Sequence, residues 1–186
     1  MYDGSFLYFA YGSNMLTERL RLRCPSAQPL GIAVAHGHAL EFSKRSVDGS
    51  AKATLVATGD AAAVVPGVLF TVAHADLPRL DVADGVGIGY DRDDAFRVVR
   101  NADGLTSIAS TYLAPAHARD VGLVAYDWYL ALTVAGALQR GMPEAHVAAL
   151  RAAVVRPDPE PLRQTRQEAL AVLLLAGFDR MFNLGK

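Results

Sequence analysis

Cysteine is almost missing from this chain: Cys24 is the single thiol in 186 residues. That excludes an internal disulfide framework and fits a reducing compartment. An excess of one charge is missing too. The net charge is −1 and no basic cluster stands out, which argues against nucleic acid or an anionic membrane as the main partner. No stretch approaches the ~18 uninterrupted apolar residues of a membrane helix. Met1-Tyr2-Asp3 is not a basic segment followed by an apolar one, so no secretory signal is expected and a cytoplasmic protein is. There is no Gly-x-Ser-x-Gly nucleophile elbow. Gly85, Gly87 and Gly89 do not lie between a strand and a helix, so dinucleotide binding is rejected. The aromatics are scattered without a basic surround, which disfavours single-stranded nucleic acid.

What is present is an apolar content of 52%, enough for a sizeable core in one domain spanning 1–186. Strand patterns fill the first two-thirds. They cover 6–10, a longer run over 30–42 containing Gly31 and Gly37, then 52–58, 66–72, and a hairpin of 90–100 with 105–114 around Asn101-Ala102-Asp103-Gly104. Glycines inside a strand pattern suggest bulges or bends, as in a strongly curved sheet. Helical spacing predicts helices over 15–24, with Asn14 at the N-cap position, and over 75–83, ended by Asp84-Gly85. Three more are predicted over 123–140, 143–155 and 162–178. The fold class is therefore α+β, a small mixed, strongly curved β-barrel with flanking helices. Residues 1–155 read as the core, and 156–186 as a stiff proline-rich linker with a C-terminal helix. The apolar run 170–175 of that helix needs cover, either the barrel or a second copy in a homodimer.

The most chemical stretch is Phe6-Leu7-Tyr8-Phe9-Ala10-Tyr11-Gly12-Ser13-Asn14-Met15. An aromatic strand ends in Gly-Ser-Asn and a helix follows at once. Backbone N–H groups at such a strand end suit a small anion, for instance a carboxylate. A plain strand-to-helix turn would serve the backbone equally well. The string from Phe6 through Leu20, continued by Cys24-Pro25-Ser26-Ala27, closely resembles the N-terminus of the γ-glutamylcyclotransferase family. Leu80-Asp81 before Asp84-Gly85-Val86, with Tyr90 soon after, resembles that family's Leu-Asp-x-x-Glu-Gly block. Tyr129, ahead of a helix ending Gly141-Met142-Pro143, is similar to its next landmark. The resemblance covers roughly residues 5–155.

This resemblance implies an enzyme that cyclises γ-glutamyl compounds. The substrate's α-amine attacks its own γ-amide carbonyl, giving 5-oxoproline and a free amine, amino acid or dipeptide, with no metal or organic cofactor. Well-placed intramolecular attack reaches effective molarities of about 10⁵ M or more, so holding the substrate matters most. The resemblance assigns substrate contact to Tyr8, Phe9, Ala10, Tyr11, Gly12, Ser13 and Asn14. Tyr90 and Tyr129 either line the pocket or serve as ordinary core residues. The family's acid/base glutamate is replaced by Asp84, whose carboxylate sits roughly 1.5 Å further back, while a general base must come within ~3 Å of its proton. Two other readings stay open: a γ-glutamyl-binding pseudoenzyme whose aspartate falls short, and removal of a γ-glutamyl protecting group in a biosynthetic pathway. The family's Gly-Gly before the third strand and its Pro-Ser ahead of Tyr129 are missing.

Other candidates rank lower. Asp81 lies on the same helical face as Asp84 and is expected to be structural. Asp91, Asp93 and Asp94 are expected to face solvent. Tyr126, three residues before Tyr129, is a third aromatic candidate. Cys24 reads as an inert buried thiol. His36 and His38 share one strand face but have no further ligand at motif spacing, so no metal site is expected.

Overall fold

The aromatic run near the N-terminus forms β1 (Ser5–Ala10), and strand alternation makes it divide the core. Tyr8 and Ala10 point into one apolar cluster, with Met15, Leu20 and Phe70. Phe9 and Tyr11 enter another, with Leu69, Phe96 and Trp128. The structure is a computed structural model that describes residues 4–180.

Four more strands complete a closed barrel: β2 (Gln28–His36), β5 (Val64–Ala73), β6 (Asp91–Arg100) and β7 (Thr106–Leu113). Their order is β1-β5-β2-β6-β7. Each neighbouring pair in that order is antiparallel. An odd number of strands cannot close with antiparallel pairs alone, so β7 meets β1 in parallel, Tyr8 opposite Ser110. The architecture is the expected α+β mixed barrel with flanking helices.

Differences from the sequence reading are local and have physical causes. The run 30–42 is not one strand. Gly37, at φ 71, turns the chain between β2 and β3 (His38–Arg45). That turn separates His36 from His38, which the alternation had placed on one face; His38 Nδ1 lies 2.7 Å from the His36 carbonyl oxygen. Among the described residues, no three His, Cys, Asp or Glu side chains gather as a metal site would need. β3 pairs with β4 (Ala51–Ala57) as a hairpin beside the barrel. Gly31 does sit at a register shift in β2. Pro66, expected at a strand start, lies inside β5 opposite Val34. It is tolerated there because β1 stops at Ala10 opposite Val68, short of Pro66.

The longest described helix is α3 (Asp127–Gln139), in which every residue from Trp128 to Ala137 is buried. A helix buried all round shows little amphipathic period. It starts later than the pattern suggested, because Ala125–Tyr126 form a short strand, β8, paired in parallel with β9 (Val155–Arg156). Before it come α1 (Thr17–Arg23) and α2 (Leu77–Asp84); after it come α4 (Glu144–Arg151) and α5 (Gln164–Leu175). The proline-rich stretch between β9 and α5 is pinned down. Buried Asp158 accepts from Trp128 Nε1 at 2.9 Å and pairs with Arg163 Nε at 2.9 Å. On α5, Ala169, Val172 and Leu173 face the core, while Leu174 and Leu175 are exposed. No helix among the described residues is long and apolar enough to cross a membrane.

Candidate active site

The site forms where β1 runs out. Ser13–Met15 make one turn of 3-10 helix, Leu16 returns to extended backbone, and α1 begins at Thr17. The first N–H groups of such a turn have no acceptor within it. Asn14 is not the helix cap that its position suggested; Leu16 occupies the cap and contributes no side-chain bond. The Asn14 amide is turned elsewhere. Its Nδ2 donates to Tyr8 Oη at 2.9 Å and to Asp84 Oδ2 at 3.2 Å. Its Oδ1 accepts from Arg23 Nη1 at 2.9 Å.

Asp84 arrives from the opposite side as the last residue of α2. Gly85 stops the helix there in the left-handed region at φ 73, where a Cβ would be strained. Arg23 Nη1 donates to Asp84 Oδ1 at 3.1 Å. Arg23 thus bridges the amide of Asn14 and the carboxyl of Asp84. Burial pushes the Asp84 carboxyl above the usual aspartate range; Arg23, Arg19, Asn14 and Lys44 pull it down without overcoming that cost.

Between these two segments is a cavity of about 40 Å³. Tyr8, Tyr11, Gly12, Ser13 and Asn14 line it from β1 and the turn, and Asp84, Tyr90 and Tyr129 from elsewhere in the chain. Phe9 and Ala10, grouped with them in the sequence reading, do not line it. Strand alternation sends Phe9 into the core against Phe96, and Ala10 is buried in the cluster with Met15. Two lining residues were missed, Ala53 and Tyr112. Ala53 offers only backbone, which no motif marks. Its N–H donates to Tyr129 Oη at 3.1 Å and its carbonyl accepts from Tyr90 Oη. The Tyr11 hydroxyl donates to the Tyr112 carbonyl.

The tyrosines divide by hydrogen-bond role. Tyr11, Tyr90 and Tyr112 give their protons to protein acceptors. Tyr8 and Tyr129 accept from protein donors, Asn14 Nδ2 and the Ala53 N–H, and Tyr129 is also hydrogen-bonded to Ser13. Burial raises the pKa of all five, which keeps them neutral. Gly12 completes the wall: a Cβ there would meet Tyr129 Oη at 3.1 Å and Ala53 Cβ at 3.2 Å. Two arginines of α1, one turn apart, had no sign in the sequence: Arg23 reaches Asp84, and Arg19 Nε donates to Ser13 Oγ at 3.1 Å.

The rival candidates lie outside the cavity. Asp81 accepts from Tyr112 Oη at 2.8 Å and pairs with Arg92, bracing α2 against the barrel. Tyr126 donates to the Asp48 carbonyl at 2.9 Å. Burial pushes the Cys24 thiol up to about 12, so it is no nucleophile at neutral pH.

Residues 8–130 match the model of the family described as gamma-glutamyl cyclotransferase, AIG2-like. The chain belongs to that family. The γ-glutamylcyclotransferase of Bos taurus is 38% identical over 94 residues, 47% of this chain and 48% of that protein. The Homo sapiens γ-glutamylcyclotransferase is 37% identical over 93 residues, 47% of this chain and 48% of that protein. The chain thus spans about half the length of these curated relatives. A solved gamma-glutamyl cyclotransferase structure superposes with a TM-score of 0.78 at 26% identity, over 90% of this chain and 98% of that one. In this gamma-glutamyl cyclotransferase-like chain, the glycine turn after β1 and the carboxyl at the end of α2 face the same small cavity.

Proposed function

We propose that the chain is a γ-glutamylcyclotransferase-like enzyme that releases 5-oxoproline from a γ-glutamyl amino acid, peptide or amine. The observation that carries this reading is the meeting of Asp84 with the β1 turn. Although one methylene shorter than glutamate, Asp84 lines the cavity and stands 3.2 Å from Asn14 Nδ2. That supports an aspartate able to reach a substrate held against residues 11–14.

In this reading the ionised Asp84 takes a proton from the α-ammonium. The freed amine attacks the γ-carbonyl carbon, and a C–N bond forms as the carbonyl oxygen takes up negative charge. The attacking nitrogen sheds its remaining extra proton to solvent, the intermediate collapses, the original γ-amide bond breaks, and the leaving nitrogen takes the first proton back from Asp84. Nothing is oxidised or reduced. Tyr8, which accepts from Asn14, has a hydroxyl proton to offer a polar group of the substrate.

The test is incubation with a panel of γ-glutamyl amino acids and amines, read as 5-oxoproline. Product from the natural chain, with Asp84→Asn slower by about 10²–10⁴-fold, is expected. If no panel member yields product while Asp84→Glu does, the natural chain is not a working cyclotransferase on those substrates.

A further inference from the structure

A lactam nitrogen carries two protons fewer than the α-ammonium from which it forms. In the reaction above, Asp84 takes the first and returns it to the leaving nitrogen. The second still has to reach solvent. The tyrosines of the cavity differ in where their own protons point. Tyr11 and Tyr90 donate to the backbone carbonyls of Tyr112 and Ala53, which do not carry a proton onward. Tyr112, by contrast, donates to a carboxyl group: its Oη gives to Asp81 Oδ1 at 2.8 Å.

Tyr112 lines the cavity, and its ring meets that of Tyr8 edge-on with centroids 5.9 Å apart. Burial, the bond to Asp81 and the charge of Asp84 all raise its pKa, so the hydroxyl stays neutral. A neutral hydroxyl can accept a proton on its oxygen as it gives up its own. Asp81 has the other property an outlet needs, contact with water: its side chain is 25% exposed. It lies one turn before Asp84 on α2, so a single helix supplies both carboxyls. Arg92, opposite Tyr112 across β6 and β7, holds Asp81 Oδ2 and is shared with Asp94, which leaves Oδ1 to Tyr112. An arginine keeps its protons, so Arg92 fixes the carboxyl without extending the path.

We propose that Tyr112 and Asp81 form the outlet for the second proton. Tyr112 takes it from the attacking nitrogen while passing its own hydroxyl proton to Asp81, and Asp81 releases that proton to solvent. The inference rests on the γ-glutamyl reading above. In the step, an N–H bond of the intermediate breaks as a new O–H bond forms at Tyr112. The former Tyr112 O–H bond breaks as one forms at Asp81 Oδ1. No group changes oxidation state. The hydroxyl then turns about its C–O bond to face Asp81 again, and the released amine takes up a proton from solvent, which closes the balance. A brace and an outlet make different demands on Asp81. A brace needs an acceptor for Tyr112, which asparagine also supplies; an outlet needs a group that can hold a proton.

The test measures kcat and KM for 5-oxoproline release from the panel member turned over fastest. It compares natural enzyme, Tyr112→Phe, Asp81→Asn and Arg92→Met, with and without imidazole as a small diffusible base. Tyr112→Phe and Asp81→Asn should each lower kcat by about 10²-fold with KM little changed, as loss of a proton-transfer group does. Imidazole should restore part of kcat in both and leave natural enzyme unaffected. Arg92→Met removes the brace and spares the path, so it should keep most of its kcat while its urea midpoint falls. If Asp81→Asn does not fold, Tyr112→Phe, which keeps the packed ring, carries the test. Natural kcat in Tyr112→Phe, a loss that imidazole does not relieve, or an equal loss in Arg92→Met overturns the inference alone and makes Asp81 a brace. Absence of 5-oxoproline from natural enzyme with every panel member defeats the γ-glutamyl reading, and the inference with it.

Discussion

At Asp84 two influences on one carboxyl oppose each other. Removal from water disfavours the ion; Arg23 at 3.1 Å and the Asn14 amide favour it. Removal from water wins, so the folded carboxyl holds its proton more tightly than the unfolded one. The sign for stability follows. The contribution is fully present below the unfolded value of about 3.9 and is lost as pH rises through the raised folded value. Asp84→Asn has no such titration. In urea denaturation across that window, the natural chain should lose stability relative to Asp84→Asn as pH rises; a constant difference would mean the folded carboxyl is not raised. A base must be ionised to work, so the acid limb of kcat/KM should also lie above the ordinary aspartate range. Asp84 was legible in the sequence only through its place in an ordered series, since Asp-Gly at a helix end is otherwise a turn signal. Arg19 was less legible still, because nothing local distinguishes a buried arginine from a solvated one on a helix face.

At the scale of elements, the turn after β1 is held by α3 rather than by its own helix. A Cβ at Gly136 of α3 would lie 2.5 Å from the Leu16 nitrogen and 2.6 Å from Met15 Cβ. Backbone on the far side cannot yield as a side-chain tip can. Gly136→Ala should therefore destabilise the fold by about 1–3 kcal/mol, in the range of overpacked cores. Because the segment it pushes carries Ser13 and Asn14, KM should rise as well. Urea midpoints and initial rates check both; a variant with natural stability and KM would show that α3 does not set the turn. This contact explains why the end of β1 was read in outline and mis-assigned in detail. Local rules made Asn14 a cap, whereas tertiary contacts move the cap to Leu16 and turn Asn14 toward Tyr8 and Asp84. The split at Gly37 has the same origin, since one apolar run fits two strands once a glycine takes φ 71.

For the whole molecule, alternation and helical spacing were enough for an α+β barrel, because most strands carry their own period. The parallel closure of β7 on β1 had no local sign, as it pairs Tyr8 with Ser110 from the far end of the barrel sequence. The cavity is harder to read for the same reason, drawing Ala53, Asp84, Tyr112 and Tyr129 from separate segments. The C-terminal part shows how a loop-like composition can hold a fold together. Asp158 lies in a run of prolines that reads as a spacer, yet its buried carboxyl takes the indole N–H of Trp128 and the charge of Arg163. It thereby ties the start of α5 to the first turn of α3, next to Tyr129. Asp158→Ala leaves both donors without that acceptor, a loss of about 1–3 kcal/mol. Trp128 is the single tryptophan of the chain, so its fluorescence reports unfolding at the very place where the bond is lost. The urea midpoint of Asp158→Ala should fall by the corresponding amount, and an unchanged midpoint would make the proline-rich stretch a passive spacer after all.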